Sequence, residues 1–291
     1  MHRILALTAF LLTAVALAPP ALAAAPLDKL LTPTALTEAE DVIVLDIRAA
    51  KDFQAGHIEG AVNMPYGLWR GPRNNPGALI TDTRLTALLQ QAGISPDSRV
   101  VVVNEGDSPS AFGATARVYW TLKSAGLVEI AILNGGLRVW GEAGLELTKD
   151  AVAPEPTDAT FTLSETWAVD RKGVSDVVEG RSDALLIDAR PDIFFKGGEK
   201  HPAARLPGTL RSAVNLIHES FFGKNGRMTL DAGYVRDLAR EAGWTPGRTV
   251  VSFCNTGHWA ASNWFALSEI AGIEDVKLYP ESMVGWQSTG S

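Results

Sequence analysis

Four short apolar runs set the rhythm of the chain: Val42–Leu45, Val100–Val103, Ala184–Ile187 and Val250–Phe253. None alternates strictly between polar and apolar, so each reads as a strand buried on both faces. Between them lie segments of helical period, Leu85–Ala92 and Val235–Ala242. Glycines at 93, 126, 243 and 272 stand where helices should stop, because glycine past a last turn takes the left-handed conformation cheaply. Buried strands joined through helices make parallel sheets with both faces covered. The pattern therefore predicts an α/β chain.

The pattern is written twice. Val42–Arg48, a strand ending in Asp46-Ile47-Arg48, matches Ala184–Arg190, which ends in Asp188-Ala189-Arg190. Each copy then reaches Ala-Val-Asn, at Ala61-Val62-Asn63 and Ala213-Val214-Asn215. The copies stay in step through Gly93 and Gly243, Pro96 and Pro246, and Val100 and Val250. Each reads strand, loop, helix, strand, loop, helix, short strand: a central, mainly parallel sheet flanked by helices. Residues 26–150 form the first expected domain and 161–291 the second. The stretch 151–160 holds Pro154 and Pro156 without periodicity and reads as the linker.

Keeping the copies in register exposes a chemical difference. Val100–Val103 aligns with Val250–Phe253, so the partner of Cys254, the only cysteine, is Asn104. An amide offers no nucleophilic lone pair. The first-copy loop, read as Asn104 to Gly113, is about four residues longer than its counterpart, and its Glu105 and Asp107 would repel an anion. In the second copy Cys254-Asn255-Thr256-Gly257-His258-Trp259 joins the carboxyl end of a strand to a helix N-terminus. Ligands bind at that end of open parallel sheets, and free amides with the helix dipole favour an anion on sulfur there. Cysteine at a strand end is often a small core hydrophobe, but this placement favours a nucleophile.

Composition narrows the classes. The chain has 291 residues, 46% hydrophobic and 20% charged, which suits two globular domains. Its net charge of -7 comes without a basic tract, so nucleic acid is not an expected partner. His2 and Arg3, the apolar run Ile4–Ala18 and the small-x-small site Ala21-Leu22-Ala23 read as a secretory signal over residues 1–25. Its removal near Ala24 or Pro26 would deliver the protein to the periplasm or the exterior, and no later stretch is apolar for long enough to span a bilayer. In an oxidising compartment an unpaired thiol is either inert or kept for reactivity. One cysteine excludes an internal redox pair and leaves zinc without its usual thiolates. No metal or organic cofactor is expected.

A family resemblance follows from Asp46-Ile47-Arg48 with Phe53, from Gly56-His57-Ile58-Glu59-Gly60-Ala61-Val62-Asn63, and from Leu133-Asn134-Gly135-Gly136 with Trp140. With weaker counterparts in the second half, these resemble the two-domain rhodaneses, sulfurtransferases of the thiosulfate or 3-mercaptopyruvate type. The resemblance implies two tandem rhodanese-like domains, the first silent and the second carrying the catalytic Cys254. It implies that Cys254 takes sulfur from thiosulfate or 3-mercaptopyruvate as a persulfide and passes it to cyanide or a thiol. The partners are then a small-molecule donor and a thiophilic acceptor, a protein thiol among the candidates.

Asn255, Thr256, Gly257, His258 and Trp259 become the substrate-binding candidates. Amides of residues 255 to 260 would cradle the terminal sulfur, His258 would donate to substrate oxygens, and Trp259 would wall the pocket. Arg190 recurs as Arg48 in the silent copy, so pinning loops through a carboxylate is its first expected role and substrate contact its second. His57 is expected to carry no chemistry. Unlike thiosulfate-selective relatives, the loop holds no arginine or lysine, and Lys196 is the nearest cation following Arg190. Two other classes compete. One is a persulfide carrier that serves a protein partner without turnover. The other is a cysteine-dependent phosphatase, which needs an arginine six residues after the cysteine, where Ala260 stands.

Overall fold

The computed structural model describes residues 25–288. The signal segment expected ahead of them lies outside the described residues. The first sheet has β1 (Leu30–Leu31), β2 (Val42–Asp46), β3 (Val62–Asn63), β4 (Arg99–Val103) and β5 (Ile130–Leu133), in the order β1-β5-β4-β2-β3. The second has β6 (Leu185–Asp188), β7 (Val214–Asn215), β8 (Val250–Phe253) and β9 (Val276–Leu278), in the order β7-β6-β8-β9. Every pairing is parallel, as the unalternating apolar runs predict. The two-residue strands β1, β3 and β7 are too short to show a period, and only their neighbours' ladders reveal them.

Strand order places the crevices. From β6 the chain goes to β7 on one side and then crosses to β8 on the other, so the direction of winding reverses between β6 and β8. Loops leaving two such strands at their carboxyl ends diverge and leave room for a ligand. The loops that diverge here begin at Ala189 and Cys254. The first sheet reverses in the same way between β2 and β4, and Asn104 leaves β4 there.

The two copies agree almost bond for bond. Asn63 Nδ2 donates to the carbonyls of Asp46 and Arg48, and Asn215 Nδ2 donates to those of Asp188 and Arg190. Arg48 Nη2 reaches Asp46 and the Gly56 carbonyl at 2.8 Å, while Arg190 Nη2 reaches Asp188 and the Gly208 carbonyl at 2.8 Å. The amides of Leu137 and Arg138 donate to the Asn104 and Glu105 carbonyls, and those of Met283 and Val284 donate to the Cys254 and Asn255 carbonyls.

One expectation needs correction. The loop after β4 is no longer than the loop after β8: helices begin at Pro109 and Trp259, each five residues beyond its loop's first residue. Ser108 caps the first of them, its side chain accepting from the Ala111 amide, and Pro109 starts it with φ already set. The helix then runs through Gly113 to Ser124, whereas its counterpart is α-helical over Trp259–Phe265 and finishes as a π turn, Ala266–Ile270. The extra residues lengthen the helix. Gly113 lies within it because a side chain there would press on His258.

These two helices pack on each other and join the copies through one core. Phe265 meets Tyr119 at 4.9 Å and Phe112 at 5.6 Å between ring centres, edge to face. The buried carboxylate of Glu269 accepts from Tyr119 Oη and Lys123 Nζ, both at 2.7 Å, so polar groups close the same seam. The stretch 151–160 has neither helix nor strand. It is nonetheless held to the first copy, the Thr157 amide donating to Gln90 and Gln90 Nε2 to Ala159. Phe265→Ala should cost roughly 3–5 kcal/mol, the usual loss for emptying a buried aromatic site. Urea unfolding checks it, and the variant should still unfold in one transition because the core is shared.

Candidate active site

Cys254 follows the last residue of β8, between the loop after β6 and the turn after β9. It is 1% exposed, with Asn255 at 5% and Thr256 at 9%. A loop so enclosed must find partners for its backbone polar groups. Ser282 supplies two of them: its Oγ accepts from the Cys254 and Gly257 amides, both at 3.0 Å, and donates to the Tyr279 carbonyl at 2.9 Å. That hydroxyl stands 4.0 Å from the Cys254 sulfur.

Ser282 has φ +51°, in the left-handed region that favours glycine. Its counterpart is Gly136, at φ +58°. A side chain on Gly136 would collide with the backbone of residues 104–106, so the first copy needs glycine there. In the second copy a hydroxyl occupies the equivalent space, in a conformation that strains a serine backbone.

The remaining groups of the loop are met from the first copy. The Thr256 carbonyl accepts from Arg70 Nη2 at 2.7 Å, and the Gly257 carbonyl from Arg117 Nη1 at 3.2 Å. Arg117 Nη2 continues to the Gly77 carbonyl at 3.1 Å. Gly257 has φ +69°, and a side chain there would strike the Pro280 carbonyl and the Arg117 guanidinium. The amides of Asn255, Thr256, His258, Trp259 and Ala260 have no hydrogen-bond partner among the described residues, whereas that of Gly257 is spent on Ser282. They are the donors left to a ligand.

The predicted site residues fall into two groups. Cys254, Asn255, Thr256 and Gly257 form the loop wall, and Trp259 stands at its rim. The indole of Trp259 stacks on His218 at 4.8 Å, meets Phe194 at 6.0 Å, and donates to Ser110 Oγ at 2.9 Å. His258 and Arg190 do not fit substrate roles. His258 Nε2 lies 2.6 Å from the Ser110 carbonyl, which can only accept, so Nε2 carries the proton and Nδ1 accepts from Tyr66 Oη at 3.0 Å. Both nitrogens are spent on the first copy, and no donor remains for a substrate oxygen.

Arg190 is 2% exposed and engaged through every nitrogen: Nε on both Asp188 oxygens, Nη2 on Asp188 and Gly208, and Nη1 on Asn255 Oδ1 at 3.3 Å. Through the Asp188 carboxylate it pins the loops, its first expected role, and its Nε and Nη2 are fully spent there and on Gly208. Lys196 pairs with Asp192 on the surface, outside the site. His57 is buried against Phe53, as a residue without chemistry would be.

Electrostatics separate the site from the equivalent place in the first copy. Arg48 Nη1 meets the carboxylate of Glu105 at 3.3 Å, whereas Arg190 Nη1 meets the amide of Asn255. The carboxylate that would repel an anionic ligand is absent beside Cys254. Burial, and then the charge of Arg70, push His258 down to about 4, so the ring is neutral at pH 7. Burial lowers His218 as well. Among the described residues no group of three metal-ligating side chains gathers, and no helix is long and apolar enough to cross a membrane.

Sequence reading missed Ser282, Tyr66, Ser110, Arg70 and Arg117. The first was within reach, since it is the in-step partner of Gly136. Arg117 is the lone charge between Ala111 and Leu122, on a helix buried nearly all round. Nothing local marks the other three.

A thiol in the loop at the switch point of a duplicated parallel sheet defines a cysteine-based α/β site in one of two copies. The family model for the rhodanese-like domain matches residues 34–143 and again 173–289. The chain belongs to the rhodanese family and carries its domain twice. It is 28% identical over 256 residues to a Synechococcus elongatus protein named "Putative thiosulfate sulfurtransferase", covering 84% of this chain and 78% of the relative. It is 28% identical over 262 residues to the Mycobacterium tuberculosis protein "Putative thiosulfate sulfurtransferase SseB", covering 86% and 89%. The fold matches the crystal structure of SseA, a 3-mercaptopyruvate sulfurtransferase of Escherichia coli, at TM-score 0.76 and 20% identity, over 88% of this chain and 99% of that one. It also matches the anaerobic ergothioneine biosynthesis enzyme of Chlorobium limicola at TM-score 0.79 and 18% identity, over 89% and 68%.

Ser282→Ala orphans two buried amides while keeping a side chain at positive φ. It should cost about 1–3 kcal/mol for each unmet donor, less whatever water recovers, read from denaturant unfolding. Ser282→Gly relieves the strain and should lose less. A second prediction concerns pH. The folded chain holds His258 at about 4, below its ordinary 6.5, so the unfolded chain binds the proton first. The stability tied to this ring is complete above 6.5 and is lost as pH falls toward 4. His258→Gln keeps a donor and an acceptor without titrating, and its stability should fall less than wild type between pH 7 and pH 4.

Proposed function

We propose that the protein is a sulfurtransferase in which Cys254 carries the sulfur as a persulfide, taken from thiosulfate or 3-mercaptopyruvate and passed to cyanide or a thiol. One observation carries this reading. The two copies share their backbone hydrogen bonds, yet where the first has Asn104, Glu105 and Gly136, the second has Cys254, Asn255 and Ser282. All three differences suit a sulfur nucleophile. Family membership and the names of the relatives point the same way.

In the first half-reaction the Cys254 thiolate attacks the outer sulfur of thiosulfate. An Sγ–S bond forms, the S–S bond of the donor breaks, and sulfite leaves with the bonding pair. With 3-mercaptopyruvate the C–S bond breaks instead, and the carbon takes the pair and a proton to give pyruvate. In the second half-reaction the acceptor attacks the outer sulfur of the persulfide and the thiolate departs. The free amides of Asn255, Thr256 and His258 are placed to receive charge on the transferred sulfur. Ser282 fixes Cys254 and Gly257 so that the loop need not reorganise.

The enclosure of Cys254, at 1% exposure, favours a small donor over a bulky one. Incubation with thiosulfate should add one sulfur atom to the peptide containing Cys254 and release sulfite, as mass spectrometry reads. Persistence of the mass gain in Cys254→Ser would overturn the assignment. A stable persulfide without turnover, with either donor and with cyanide or thiol acceptors, would make the protein a carrier. We further propose that the chain is exported, on the signal pattern of residues 1–25. Amino-terminal sequencing of the mature protein should then begin near Ala24 or Pro26.

A further inference from the structure

The loop after β8 brings no cation of its own, and Arg190 is consumed by Asp188. Two guanidinium groups nevertheless stand against it, both from the first copy. Arg70 holds the Thr256 carbonyl and Arg117 the Gly257 carbonyl. Neither forms an ion pair with a carboxylate among the described residues. Each leaves a buried nitrogen without a partner, Nη1 of Arg70 and Nε of Arg117. Aromatic faces compensate only in part: Arg70 lies 5.2 Å from the Tyr66 ring centre and Arg117 5.2 Å from that of Trp120.

A buried cation without a counter-ion is costly, and two side by side are costlier. The strain is visible on Arg117: burial, and then the charge of Arg70, push it down to about 9, so it stays charged at neutral pH. Tyr66 and Cys254 are the acidic groups whose charge would relieve it. On the rim, Arg70 and Lys200 lie close enough that, after burial, their charges lower His201. Positive charge thus surrounds a loop whose backbone has amides to spare, and a bound anion would neutralise it.

We propose that Arg70 and Arg117 of the first copy form the anion site of the second copy's cysteine. Arg117 is the fixed counter-charge behind the loop, a positioning residue. Arg70, half-buried as a residue but with its unpartnered Nη1 enclosed, offers that nitrogen to the oxyanion of the sulfur donor, sulfonate or carboxylate, once the donor has entered the site. The assignment deepens the sulfurtransferase reading and takes Cys254 from it as the reacting atom.

Thiosulfate binding to the unreactive Cys254→Ser protein, measured by calorimetric titration, tests the site without any sulfur transfer. Adding Arg70→Met should weaken binding roughly tenfold or more, the scale of one charge-assisted hydrogen bond. Arg70→Lys should restore most of the affinity. A residue that merely staples the loop would lower the melting temperature of Arg70→Met and leave thiosulfate affinity unchanged, and that result would overturn the proposal. Arg117→Lys keeps the charge in case Arg117→Met fails to fold, and it should bind thiosulfate more tightly than Arg70→Met does. Absence of thiosulfate binding to Cys254→Ser would also overturn the anion site. Tight binding without persulfide formation in the wild type would overturn the sulfurtransferase reading and leave the anion site standing.

Discussion

Everything about the site follows from how the backbone of residues 254–258 is satisfied. A loop this deeply buried cannot leave its carbonyls and amides to water. The second copy answers for four of these groups, through Ser282 and through the amides of Met283 and Val284. The carbonyls of Thr256 and Gly257 face away from it and are met only by Arg70 and Arg117. The first copy therefore completes the site of the second. His258 and Trp259 fasten the same joint through Tyr66 and Ser110.

The arrangement is reciprocal, as duplication leads one to expect. The first-copy segment around Tyr66 to Gly77 covers the loop after β8. The second-copy segment Phe222–Met228, closed by a bridge between its ends, covers the first copy's last turn. There Asn134 exchanges hydrogen bonds with Met228, and Arg138 reaches the Asn225 carbonyl. One geometry thus has two occupants. The covering segment of the first copy contributes Arg70 to the loop it covers, and the neighbouring helix contributes Arg117. The loop after β4 instead carries the carboxylate of Glu105. Loss of the nucleophile and gain of negative charge occur in the same loop.

The fold was legible because its signals are local and repeated. Apolar runs without alternation named β2, β4, β6 and β8, and the repeat Asp-x-Arg then Ala-Val-Asn marked the loops leaving β2 and β6 and the short strands β3 and β7 beside them. Cys254 could be singled out because Asn104 stood in its register. What failed were inferences about side-chain direction. His258 lies in the right loop, but its ring turns to Ser110 and Tyr66, which lie 148 and 192 residues earlier in the chain. Arg190 carried a recognisable pattern, yet only the structure shows all three of its nitrogens engaged. The loop to Gly113 reads as longer because the spacing to Gly126 and Gly272 measures loop and helix together, and the extra residues lie in the helix.

The first copy supplies the cations that the loop after β8 itself lacks. Gly257 tolerates no side chain at all, so no cation can stand at that position of the turn. Charge delivered from behind avoids that conflict. Arg117 projects from a helix buried on nearly every side, and the copy supplying that helix must stay folded and docked for the charge to be held in place. A guanidinium fixed by the Gly257 and Gly77 carbonyls cannot swing away when an anion leaves, so its field is preorganised for the next. Its desolvation is supported by the shared aromatic core around Phe265 and Tyr119. In the proposed anion site the first copy thus acts as the electrostatic floor of the second, and core, interface and site are one constraint seen at three scales.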